Sequence, residues 1–119
     1  MMLPPVYSLL SADPYISTVV GKAIYAHGAA PIDVTRPYIT WFLVSGSPLD
    51  QLSGAPCTDF DLVQIDVWSR GVDEVVSIAR AVRNLLDSKG NANRVVMDTF
   101  DKDTKLYRHA IETSFIRNR

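Results

Sequence analysis

Few residues in this chain have the types and spacing for chemistry. Asp101, Asp103 and Glu112 stand at the first, third and twelfth positions of a calcium loop of the EF-hand kind, a spacing that wraps carboxylate oxygens around a hard cation. Lys105 and Leu106 occupy the positions that need a third ligand and a glycine, so "DKDTK" is expected to be a charged hairpin turn. Asp59 and Asp61 project to one side of a strand, but no histidine is spaced to join them, and they are expected as exposed carboxylates at its start. His27 lies in a glycine-flanked connection and His109 in the final strand, neither beside a serine or cysteine in a nucleophile motif. The single Cys57 makes no internal disulfide and no zinc site, and a loop thiol without a role is expected. Glycine-rich phosphate loops are absent, and the basic end with Arg117 and Arg119 is expected to be a solvated terminus. The expectation is no enzyme, no cofactor and no metal site.

The elements that would position these residues are better marked. At 119 residues, 47% apolar and 21% charged, the chain has the length of one domain spanning residues 1–119 and the composition of an ordinary globular protein. A formal net charge of -1 gives no electrostatic pull toward nucleic acid. Asp13 and Pro14 interrupt the apolar start, which lacks the basic region of a signal peptide, and no run reaches the roughly 18 apolar residues of a membrane span. A product made in the cytosol is expected.

Pro4 and Pro5 suit a helix start, and Val6, Leu9 and Leu10 follow at helical spacing. Asp13 then caps a second short helix with Pro14 at its first position and Gly21 at its end. Lys22 to His27 is a short strand candidate, and Tyr38 to Val44 is the clearest strand, rich in aromatic and β-branched residues. Ser45 to Asp59, with Gly46, Pro48, Gly54 and Pro56, is expected to be a long adaptable loop offering Leu49 and Leu52 as apolar anchors. Phe60 to Trp68 alternates, with Val63, Ile65 and Val67 facing a core and Gln64 and Asp66 facing water. Ser69 is placed to cap the following helix, whose stripe is Val72, Val75, Val76, Ala79, Val82 and Leu86, bordered by Ile78 and Leu85. Gly90 ends it, and Arg94 to Phe100 pairs with Leu106 to Ile116 as an antiparallel hairpin. The fold class is α+β: a small two-layer sandwich, a mixed or antiparallel sheet of four to five strands with helices on one face.

Such a sandwich has more apolar strand surface than its helices can cover. Ile39, Trp41 and Leu43 point one way and Tyr38, Phe42 and Val44 the other, so the second face calls for further strands or a second subunit. From chemistry alone, Trp41, Leu49, Asp50, Gln51, Leu52, Gln64, Asp66 and Trp68 are the candidate oligomer or partner contacts.

The succession "ADPYISTVVGKAIY", "RPYITWFLVSG", "VQIDVWS", "ARAVRNLLD" and "YRHAIETSF", from about Leu9 to Phe115, resembles the tail-completion, or head-to-tail joining, protein family of long-tailed bacteriophages. "VQIDVWS" and "PYIT" are its most telling parts. The resemblance implies a non-enzymatic virion component, similar to tail terminator proteins, that forms a homo-oligomeric ring of six where the tail tube meets the head connector. Tail tube and head connector proteins would be its partners, without sequence-specific nucleic-acid binding or a membrane, while the genome passes through the ring. The location implied is the virion, after assembly in the host cytoplasm. The alternative is a small ligand- or protein-binding module of cellular origin, which neighbouring genes would distinguish.

Overall fold

The computed structural model describes residues 4–31, 37–48 and 58–118. The elements run α1 (Val6–Ser11), α2 (Pro14–Val20), β1 (Ile24–Ala26), β2 (Tyr38–Pro48), β3 (Thr58–Ser69), α3 (Val72–Ser88), β4 (Asn93–Asp101) and β5 (Leu106–Asn118). One five-stranded sheet has the order β1-β2-β3-β5-β4. β1 is parallel to β2, and every other neighbouring pair is antiparallel. The α+β sandwich expected from the sequence is therefore present, with a mixed sheet.

The doubled helix forms as its capping residues dictate. The Asp13 carboxylate accepts from the Ile16 backbone N–H at 3.0 Å, satisfying a donor that the short α2 leaves free, and Pro14 occupies the first turn. Asp13→Ala should cost about 1 kcal/mol, read as a lower midpoint in a urea melt; an unchanged midpoint would show that α2 is held by packing alone. Val6, Leu10, Ile16 and Val20 turn inward from these helices and meet Val75, Ile78, Ala79, Val82 and Leu86 of α3. Together they cover the sheet face made by Ile39, Trp41, Val63, Ile65, Val67, Ile111 and Phe115.

Several expectations require correction. β2 runs on to Pro48 and β3 begins at Thr58, paired through Pro48↔Asp59, so Ser45 to Pro48 and Thr58 to Asp59 of the expected loop are strand, and residues 49–57 lie outside the described residues. β5 extends the ladder to Thr58↔Asn118, and pairing on this scale overrides the turn composition of "SGSP". The cap of α3 is Gly71; the Ser69 hydroxyl instead accepts from the Gly71 N–H at 3.2 Å and donates to Glu74. Val72 is exposed and the border residue Ile78 is fully buried, so the apolar face is rotated from Val72 toward Ile78. At the other end Gly90 takes φ of 76°, a left-handed conformation that favours glycine after the helix.

The β4–β5 turn bears out the hairpin. Asp101 Oδ1 accepts from the Asp103 N–H at 2.9 Å, and Lys105, with φ of 60°, returns its N–H to the Asp101 carbonyl at 2.7 Å.

Candidate assembly surface

Alternation along the strands sends every second residue to the face that the helices do not cover, and the register lines these residues up in rows. One row is Tyr38, Trp68, Arg108 and Thr99; the next is Thr40, Asp66, Ala110 and Met97; the third is Phe42, Gln64, Glu112 and Arg94. The first row is aromatic and cationic. Tyr38 stacks on Trp68 with ring centroids 5.9 Å apart and planes 12° apart, and the Arg108 guanidinium lies 5.1 Å from the Trp68 centroid. Burial raises the pKa of Tyr38, assisted by the charge of Asp101 and by Tyr25, whose ring meets Tyr38 edge-on at 6.4 Å.

The second row holds two buried polar residues, Thr40 and Asp66. Asp66 is 3% exposed, which overturns the expectation of a wet side for it. Its Oδ2 accepts from Arg108 Nη2 at 3.1 Å and its Oδ1 from Gln64 Nε2 at 2.9 Å. Trp68 Nε1 donates to Thr40 Oγ1 at 3.0 Å, tying the first row to the second. Arg94 and Glu112 pair at 2.9 Å at the outer end of the third row. Gly28, Ala30 and Pro31 after β1 and Thr104 of the hairpin turn rise beside these rows, leaving an open groove of about 490 Å³ over Tyr38, Trp68 and Arg108. The buried Asp66 carboxylate is thus already paired with Arg108 of the first row and Gln64 of the third.

Of the candidate contacts, Gln64 and Trp68 sit half-buried on this second face. Trp41 does not: it is 4% exposed in the core between Ile65 of β3 and the helices, so the chain's own helices cover the ring expected to await a partner. Leu49, Asp50, Gln51 and Leu52 lie outside the described residues, as does Cys57. Asp61, expected to be exposed, is fully buried. His109 approaches Asp98 at 3.8 Å on the helix-covered face, and His27 stands beside Trp41 with ring centroids 6.1 Å apart. The contributions of Thr40 and Arg108 were missed. The alternation of each strand hints at their face, but only the cross-strand register places them beside Asp66 and Trp68.

Comparison with known proteins adds two findings. A family model described as tail completion protein gp17 matches residues 4–116. Among solved structures, a chain of the "Virion of native gene transfer agent (GTA) particle" is similar in fold, with a TM-score of 0.64 and 21% identity over 96% of this chain and 92% of that one. No curated protein sequence matches the chain.

Proposed function

Because the chain belongs to the tail completion protein gp17 family, whose model spans residues 4–116, we propose that it works as a structural component of the virion, completing the tail at the head–tail junction. Family membership over nearly the whole chain carries this reading. The similar fold of a chain from a gene transfer agent virion supports the setting. The role asks for adhesion and shape and not for turnover, which accords with a second sheet face whose charges are internally paired.

In this reading the subunits close into a ring of six that joins the tail tube to the head connector and lets the genome pass. Gln64 and Trp68 on the second face, and Leu49, Asp50, Gln51 and Leu52 between β2 and β3, supply contacts to the rest of the assembly. A ring of identical subunits needs two different surfaces on each chain, each meeting the other on the next copy. Native mass spectrometry over a concentration series, with and without tail tubes, should give one species of six chain masses. A chain that stays monomeric in both conditions would sink the ring.

A further inference from the structure

The two free edges of the sheet are unlike, and each is only partly protected. β4 is the outermost strand on one side, nine residues long, with Arg94 through Phe100 all exposed. Val95, Val96, Met97 and Phe100 keep between 39% and 45% of their surface in water, half of the exposed large apolar side chains among the described residues. Alternate residues of an edge strand direct their N–H and C=O groups outward, so β4 offers a ladder of hydrogen bonds flanked by apolar side chains. No proline or lysine interrupts it; its guards are the charges of Arg94, Asp98 and Asp101 and the shift of register between Val95 and Met97.

At the opposite side β1 protects only part of β2. Its three residues pair with Ile39, Thr40 and Trp41, and the Gly28 N–H takes the Trp41 carbonyl at 3.3 Å. From Phe42 to Pro48 no described strand pairs with the outer side of β2, and this run, "FLVSGSP", carries no charge. Strand direction decides how the edges fit. β2 is antiparallel to β3, β3 to β5 and β5 to β4, so β4 runs opposite to β2. A second copy placed beside the first with its sheet in the same sense therefore brings its β2 antiparallel to β4.

We propose that β4 of one subunit pairs with the Phe42–Pro48 run of β2 in the next copy of this chain, continuing the sheet across the subunit boundary. The seven-residue run fits within the nine-residue span of β4; Val95, Val96, Met97 and Phe100 on one edge and Val44 on the other offer exposed apolar side chains; and the surfaces are distinct, as a closing ring requires. The proposal rests on the ring reading and names the surface that would build it.

Val96 and Val44 are exposed, so cysteine at either should leave the fold intact, which melts would verify. In a Cys57→Ser background, Val96→Cys protein and Val44→Cys protein are mixed and treated with a short bismaleimide. The mixture should yield a crosslinked dimer, and neither variant alone should. A dimer from Val96→Cys alone would overturn the proposal in favour of symmetrical β4–β4 pairing. So would equal crosslinking of Val44→Cys with Ser77→Cys on the exposed side of α3, which would indicate random collision. If light scattering shows a multimer but the mixture gives no crosslink, edge pairing is overturned and the ring stands; a chain monomeric with and without tail tubes overturns both.

Discussion

Ile65→Ala is expected to remove about 2 to 5 kcal/mol of stability, a large share of the roughly 5 to 15 kcal/mol that holds a domain of this kind together. Ile65 is fully buried at the middle of β3, directly across from Trp41 on one side and Ile111 on the other, with the helices above. Two neighbours held on the ladder and the helices above leave little freedom to collapse into the space, so the cavity term should be felt in full. Urea unfolding of the purified chain would measure it. A loss below about 1 kcal/mol would mean that the central strand is not packed as described.

The second large effect is expected from Arg108→Ala. The Asp66 side chain is 4% exposed and depends on Arg108 for its counter-charge, so the substitution strands a carboxylate that water can hardly reach, and should cost roughly 3 kcal/mol. Asp66→Ala should cost less, because the Arg108 side chain is 26% exposed and can recover hydration, though more than a surface substitution would. The order of the two variants in the same melt is the test. Arg108→Ala within about 0.5 kcal/mol of the parent would show that the pair is not formed in solution.

These two neighbouring residues of β3 show what the sequence could and could not disclose. Alternation assigned Ile65 to the core and Asp66 to the other face, and both assignments hold. Depth was not legible. Asp66 is enclosed by Arg108, 42 positions away, and by side chains brought alongside through register, and nothing within a local window of sequence encodes that meeting. The same reason explains Trp41: a face can be read from period two, but which face the helices choose depends on the stripe of α3, which takes in Ile78 and leaves out Val72. Local punctuation was the surest guide where it acts through the backbone, as at Asp13, Gly21, Gly90 and the turn after Asp101. It misled where long ladders prevailed, since Ser45 to Pro48 carries turn residues and is nevertheless a strand. The polar cluster of Thr40, Asp66 and Arg108 was likewise invisible, because its members belong to three strands.

The placement of β5 between β3 and β4 also sets the order of events in folding. α3 and the β2–β3 pair can form from neighbouring segments, but β3 acquires its second partner only by closing the chain over α3 and β4, as in Asp66↔Ala110 and Val67↔His109. Loops of that span carry an entropic cost that is met before any of the ladder is gained, and topologies dominated by such pairings fold in milliseconds to seconds rather than microseconds. Until β5 arrives, β3 has an open edge, and Ile65 and Val67 lack the Ile111 and His109 side chains that will lie beside them. During synthesis the nascent chain therefore leaves the open edge of β3 unpaired for as long as the ribosome takes to add about forty more residues, on the order of seconds at ordinary elongation rates, so that chaperone demand should fall on this protein before, and not after, the last strand emerges.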